Sequence, residues 1–246
     1  ARATVAGLSP AKLAPVIRRV ERDTGVEFQL GRTPAGLTLY ALGTGAHGAQ
    51  PERGNNALTA LLSALAALPL EDGPSARTIR GLAGLFPHGD TQGKALELAC
   101  ADETSGPLTL NFSVLDLNQT GFSAQFDCRF PLCAQEKALL PRLSAALSPL
   151  GAEVTDPGLV PPHCVPEDDP FVQTLLGVYH DYTGQSARCL AIGGGTYVHD
   201  IPGGVAFGCA MPGVDNRMHE PDEFAILDDL VLSAKMFAQV ILDVCG

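Results

Sequence analysis

The sequence has no tryptophan, no Lys/Arg-rich run, no pair of cysteines spaced as in a zinc ribbon and no long uninterrupted apolar stretch. The missing tryptophan decides little, but each other absence removes a class of function. With 16 Lys and Arg against 27 Asp and Glu the formal net charge is -11, and no basic residues interleave with aromatics to release counterions from a phosphate backbone. Nucleic acid is therefore not an expected partner. The longest apolar segment, "FAILDDLVLSAKMFAQVILDVCG", carries Asp228, Asp229 and Lys235, charges that are costly in lipid. It reads as an amphipathic helix facing a core, with no membrane involved. The seven cysteines form no CxxC pair, and an odd number so spread suggests buried thiols in a reducing, cytoplasmic setting. The opening "ARATVAGLSP" has neither the basic nor the apolar region of a secretion leader.

What is present suits one large or two moderate domains. Of 246 residues, 46% are hydrophobic and only 17% charged, enough apolar surface for an α/β protein with a sizeable core. Ser9-Pro10 carries N-cap and N1 chemistry, and Leu13, Val16, Ile17 and Val20 continue a helical stripe to about Gly25. "VEFQL" and "GLTLYALG" alternate around Thr33-Pro34-Ala35-Gly36, which predicts a hairpin. "NNALTALLSALAALPL" predicts a second helix capped by Asn55 or Asn56. Between about residues 71 and 106, a short helix near "ARTIRGLAGLF" and a strand near "KALELACA" are expected. "LTLNFSVLDL" and "GFSAQFDCRF" make a second hairpin around Asn118 to Gly121, and "AQEKALLPRLSAALSPLG" a third long helix containing Pro141.

"TDPGLVPPHCVPEDDP" has the proline-rich, polar composition of a linker. Beyond it the pattern becomes a helix from Asp169 to about Tyr182, an apolar strand "ARCLAI", a glycine-rich turn, a second apolar strand "GVAFGCA", a loop with His219 and a final helix. Two strands that both read as buried on two faces would need further strands beside them.

Several residues could carry chemistry, and each has a plainer alternative. In "GGGTYVHD", the glycines after a strand would let a ligand approach the backbone, with Thr196 and Tyr197 supplying hydroxyls, or would simply make a tight turn. His219, beside Glu220, Asp222 and Glu223, could ligate a metal or sit solvated in its loop. His88-Gly89-Asp90 reads as an exposed turn. His47, between a strand and a helix N-terminus, could meet an oxyanion or cap its loop. Arg129 could bind a carboxylate bidentately or pair with a surface acid.

Taken in order, "GAHGAQPERGNNA", "LTLNF", "FDCRFP", "GGGTYVHD", "AFGCAMPG" and "MHEPDE" resemble the zinc-dependent peptidases and deacylases that include carnosinase, aminoacylase and succinyl-diaminopimelate desuccinylase, and most of all the PepV-like dipeptidases. The resemblance covers nearly the whole chain. It implies a mixed α+β and α/β fold: a lid with helices over an antiparallel, ferredoxin-like sheet at residues 1–157, followed at 158–246 by the C-terminal part of a catalytic α/β domain. It also implies roles. His219 matches the last zinc ligand, His47 the lid histidine that stabilises an oxyanion, and Arg129 the arginine that holds the substrate carboxylate. Asn111, Gly194, Gly195 and Thr196 fall where further substrate contacts are made.

The departures from the family pattern are equally specific. The H-x-D-x-V-P motif, the bridging Asp, the general-base Glu with its neighbouring ligand and the further acidic ligand are not found, and Val198-His199 stands where the dipeptidases have Ala-Arg. Two zinc ions would serve the complete enzyme, and this chain alone would not hold them, since one His cannot replace about three protein ligands. The expected function is therefore part of a metallopeptidase acting on dipeptides or N-acyl amino acids, inactive by itself. The alternative is a non-catalytic module that binds small molecules or forms homo-oligomers through an exposed sheet edge.

Overall fold

The computed structural model describes residues 1–155, 158–208, 210–218 and 221–246. They form two compact units, Ala1–Pro161 and Pro162–Gly246. The architecture is α+β, with six α-helices and small antiparallel sheets among the described residues.

The first unit opens with strand β1 (Arg2–Val5), which the sequence patterning did not reveal, and helix α1 (Pro10–Thr24). Pro10 sits in the first turn, where its missing N–H costs nothing. Leu13, Ile17 and Val20 are buried along one stripe, and Gly25 closes the helix at φ 71° with its N–H on Glu21 O at 2.8 Å, a left-handed cap that favours glycine. Strands β2 (Glu27–Thr33) and β3 (Gly36–Leu42) form the expected hairpin, and β1 pairs with the other side of β3, giving the order β1-β3-β2. Leu37, Leu39 and Ala41 alternate into the core. Gly36 has φ 140°, and a Cβ there would collide with the Val5 backbone, so the β1–β3 approach requires glycine.

Helix α2 (Ala57–Ala67) is apolar on nearly every side, with Ala60, Leu61, Leu62, Ala64 and Leu65 all buried. It touches α1 and β3 as well as helix α3 (Pro74–Leu85). The strand expected at "KALELACA" is instead a 3-10 turn over Lys94–Leu96 followed by the two-residue strand β4 (Ala101–Asp102), paired with β5 (Gly106–Pro107). Glu97 takes φ 56° and the Asp90 carboxylate accepts the Gln92 and Ala95 N–H groups, so side-chain capping displaces an extended ladder. Strands β6 (Thr109–Leu117) and β7 (Phe122–Arg129) make the second expected hairpin. Its inner face seats Phe112 against Phe86 with ring centroids 4.2 Å apart. Helix α4 (Glu136–Leu147) follows, with Pro141 inside it.

In the second unit, helix α5 (Pro170–Thr183) is capped by the Asp169 side chain, which accepts the Phe171 N–H at 2.8 Å. It packs on helix α6 (Leu227–Cys245) through Leu175, Val178, Met236 and Val240. The two apolar strands expected between these helices are irregular: among the described residues neither "ARCLAI" nor "GVAFGCA" enters a sheet. Leu190 and Ile192 are 67% and 64% exposed rather than buried. A strand buried on both faces is stable only inside a ladder, and among the described residues no neighbouring strand forms one. The thiols among the described residues, which do not include Cys209, also differ from expectation. Cys133, Cys164, Cys189 and Cys245 are exposed, and Cys100 and Cys128 only half-buried, because most fall in loops or at a helix end. No helix among the described residues is long and apolar enough to cross a membrane.

Candidate functional site

The β6–β7 hairpin builds the candidate site by simple alternation. Leu110 pairs with Cys128 and Phe112 with Phe126 on the core side, so Asn111, Asp127 and Arg129 fall on the opposite face. Asn111 lies directly across from Asp127, and Thr109 from Arg129. The Arg129 guanidinium binds the Asp127 carboxylate bidentately, Nε to Oδ1 at 2.6 Å and Nη2 to Oδ2 at 2.7 Å. This uses one edge of the guanidinium. The edge formed by Nη1 and Nη2 is the one suited to a second carboxylate.

The loop between β3 and α2, which carries His47, approaches the same strand. An antiparallel bridge between Thr44 and Asn55 closes that loop at its base, which is tight enough that a Cβ on Gly43 would strike the Asn55 backbone. At its tip, a Cβ on Gly48 would lie 3.0 Å from Asp127 Oδ2. The residue beside His47 thus rests against the carboxylate that holds Arg129. The Ala49 N–H donates to His47 Nδ1 at 3.2 Å, and since a backbone amide can only donate, the neutral ring carries its proton on Nε2. Cys128, on the core side of the same strand, has its thiol pushed up to about 11 by burial and by the Asp127 charge.

A small crevice next to this face is lined by Asn56, Thr59, Asp90, Thr91 and Asn111. Asn56 caps α2, with its Oδ1 accepting the Leu58 and Thr59 N–H groups. Thr59 Oγ1 lies 2.9 Å from His88 Nδ1. Burial lowers the His88 pKa below 6.5, against the opposing pull of hydrogen bonds to the Thr24 and Asn56 carbonyls. The turn expected at His88-Gly89 is present, closed by the Asp90 N–H on the Pro87 carbonyl, but His88 itself is half-buried and engaged rather than exposed.

Two of the residues singled out from the sequence, Asn111 and Arg129, thus share a face with Asp127, and Gly48, next to His47, lies against the Asp127 carboxylate. Gly194, Gly195 and Thr196 belong to the second unit, in a loop ahead of a 3-10 turn over Tyr197–Asp200. Thr196 Oγ1 accepts the Val198 N–H at 3.4 Å, and the Thr196 N–H donates to His199 Nδ1 at 3.3 Å. Neither Gly194 nor Gly195 has positive φ, and a Cβ on either would meet nothing within 4 Å. His219 lies outside the described residues. Among those described, no three His, Cys, Asp or Glu side chains converge as a metal site would require.

Sequence reading missed Asp127 and the linking role of Asn56. Asp127 had a readable signal, since it stands two residues before Arg129 in an alternating strand and so shares its face. The contact of Asn56 with Asn111 spans 55 residues, and no local pattern announces it.

Comparison with known proteins places this face in a family. Residues 32–155, the stretch that contains the His47 loop and both strands of the candidate site, match the peptidase dimerisation domain. The chain belongs to the peptidase family that carries this domain. It is 32% identical over 244 residues to YtjP of Bacillus subtilis (strain 168), provisionally named a dipeptidase, covering 99% of this chain and 52% of that protein. It is also 32% identical over 245 residues to the Beta-Ala-Xaa dipeptidase of Lactobacillus delbrueckii subsp. lactis, covering 98% of this chain and 51% of that one. The chain therefore spans about half the length of the curated relatives it matches.

Proposed function

We propose that this chain is the lid and the returning C-terminal part of a di-zinc peptidase that hydrolyses dipeptides or N-acyl amino acids. The observation that supports the reading is the shared face of Asn111, Asp127 and Arg129 with the His47 loop against Asp127 at Gly48, within a stretch that matches a peptidase domain. On this reading residues 1–157, with a ferredoxin-like core, are the lid, and 158–246 return to the catalytic domain. On this reading the remaining metal ligands would belong to the half of the relatives' length that this chain does not cover. Zinc would polarise the amide carbonyl and activate water in the complete enzyme. The residues of this chain do not by themselves fit that role, because His219 offers one imidazole where about three protein ligands are needed.

The part that this chain's residues can perform is orientation and charge stabilisation. His47, protonated on Nε2, is a donor suited to an amide oxygen that gains negative charge. The Nη1/Nη2 edge of Arg129 takes the substrate's carboxylate, and Asn111 adds a further polar contact. Gly194, Gly195 and Thr196 are proposed as substrate contacts from the second unit.

A longer chain that includes the other half, supplied with zinc, tests this by hydrolysis of β-alanyl dipeptides. His47→Ala is expected to lower kcat about 100 to 1,000-fold. Arg129→Ala is expected to raise KM for a free dipeptide about tenfold or more, with little effect on its C-terminal amide. Full activity in both variants would sink the reading.

The name of the matched domain favours a second reading for the chain alone, a homo-oligomer joined through sheet edges. Strands β1 and β2 are the edges of the three-stranded sheet, and Leu30 on β2 is exposed. Light scattering across a range of concentrations decides it, since a constant monomer mass is incompatible with that assembly.

A further inference from the structure

The hydrogen bonds at the start of α2 determine the orientation of a side chain that sequence alone leaves ambiguous. An asparagine amide has near-identical ends, and only its partners distinguish oxygen from nitrogen. For Asn56 the partners are unequivocal. One end lies 2.9 Å and 3.1 Å from the Leu58 and Thr59 N–H groups, which can only donate, so that end is the oxygen. The other lies 2.8 Å from the Phe112 carbonyl, which can only accept, so that end is the NH2. Its second hydrogen points to Asn111, 3.0 Å away. The end of Asn111 facing it must be Oδ1. All four bonding positions of Asn56 are then used, and its orientation cannot reverse without breaking the helix cap.

The consequence falls on Asn111. With its oxygen held by Asn56, the side chain turns its NH2 group away, and among the described residues that nitrogen is neither hydrogen-bonded nor buried. Asn111 also lines the crevice beside the Arg129 face. We propose that Asn56 is a positioning residue that fixes Asn111 as a hydrogen-bond donor, so that Asn111 receives a carbonyl or carboxylate oxygen of the substrate and not an N–H. This rests on the reading of Asn111 as a substrate contact. It makes that contact selective for acceptors, and links its geometry to the rigid N-terminus of α2 and not to a surface rotamer.

Two substitutions keep the cap while changing the signal sent to Asn111. Serine and aspartate both cap helices well. Asn56→Ser removes the donor, and Asn56→Asp replaces it with an acceptor that would draw the Asn111 NH2 inward. NMR of the 15N-labelled chain reads this directly, with the Asn111 side-chain signals assigned by their loss in Asn111→Ser. In Asn56→Asp one Asn111 amide proton is expected to exchange with water several-fold more slowly than in the parent. Titration with β-alanyl-leucine is expected to move the Asn111 signals in the parent chain, with affinity about tenfold lower in Asn56→Asp, the scale of one lost hydrogen bond. Asn56→Ser should fall between them, and it replaces the aspartate variant if that chain fails to fold. Unchanged Asn111 amide signals in both variants would overturn the positioning role. If instead those signals change as expected while Asn111→Ser binds β-alanyl-leucine as the parent does, the positioning stands and the substrate-contact reading fails.

Discussion

The two units of this chain solve the problem of burying apolar surface to very different extents. In Ala1–Pro161, helix α2 is buried between two sheets and other helices, and one continuous core runs from Val5 to Leu147. In Pro162–Gly246 the buried apolar cluster among the described residues is four residues between α5 and α6. Leu190, Ile192, Tyr197, Leu227, Ile241 and Leu242 are all exposed. The sequence is as apolar there as in the first unit, so composition alone does not produce a core. Strands need partners, and the first unit has them within reach of its own chain.

Hydrogen exchange should give the largest contrast. Amides of β3, which is paired with β1 on one side and β2 on the other, should be protected by a thousandfold or more relative to those of residues 187–208, which make few backbone hydrogen bonds. Comparable protection in the two stretches would break the comparison. Core truncation sharpens it further. Leu39 and Met236 are almost fully buried, one in each unit, so either change to Ala is expected to cost about 2–5 kcal/mol. If the units fold separately, calorimetry should show Leu39→Ala lowering one transition and Met236→Ala the other. A single transition lowered by both would mean that the units are energetically one.

A smaller effect is expected from acidification within the first unit. Burial holds the His88 pKa below 6.5 in the folded state, so the unfolded chain binds more protons as pH falls through that value. Stability from this group is present above 6.5 and declines as pH falls below it. His88→Gln should flatten that part of a denaturation-midpoint against pH curve, and an unchanged slope would count against the buried neutral imidazole. Smaller still is the Asp127–Arg129 pair. Their side chains are 33% and 41% exposed, so despite good geometry a double-mutant cycle on stability should return no more than about 1 kcal/mol. A larger coupling would mean that the face is also structural.

The contrast between units also explains what could be read from the sequence. Both hairpins, α1, α2 and the caps at Gly25 and Asn56 follow from local rules, because period, turn residues and capping act over a few positions. His47, Asn111 and Arg129 were singled out by resemblance, and the Arg129–Asp127 pair follows from strand alternation, whereas the Asn56–Asn111 bond and the approach of Gly48 to Asp127 depend on contacts between distant segments. "ARCLAI" and "GVAFGCA" show the opposite failure. Their composition suits buried strands, but a strand is a property of a ladder, and hydrophobicity says nothing about whether a neighbour exists. β1 escaped notice for the related reason that it is ordered by β3, more than thirty residues later.

The smallest expected effect lies where side-chain hydrogen bonds substitute for a sheet. Asp102 accepts the Thr104 and Ser105 N–H groups through Oδ1 and the Cys133 N–H through Oδ2 at 3.0 Å. Ser105 Oγ in turn accepts the Leu132 N–H at 2.9 Å, so the segment after β7 is tied to the β4–β5 turn. These bonds to Ser105, and the contact with Cys133, hold the Asp102 carboxyl at about 2 instead of 3.8. The folded value is the depressed one, so the stabilisation is complete above about pH 4 and is lost as pH falls toward 2. Asp102→Asn should speed exchange of the Leu132 and Cys133 amides several-fold at pH 6, measured after correction for intrinsic rates. The difference should shrink as the parent carboxylate is protonated near pH 2. A difference that persists undiminished at that pH would show that shape rather than charge holds the segment, and that this short turn is as self-sufficient as the hairpins around it.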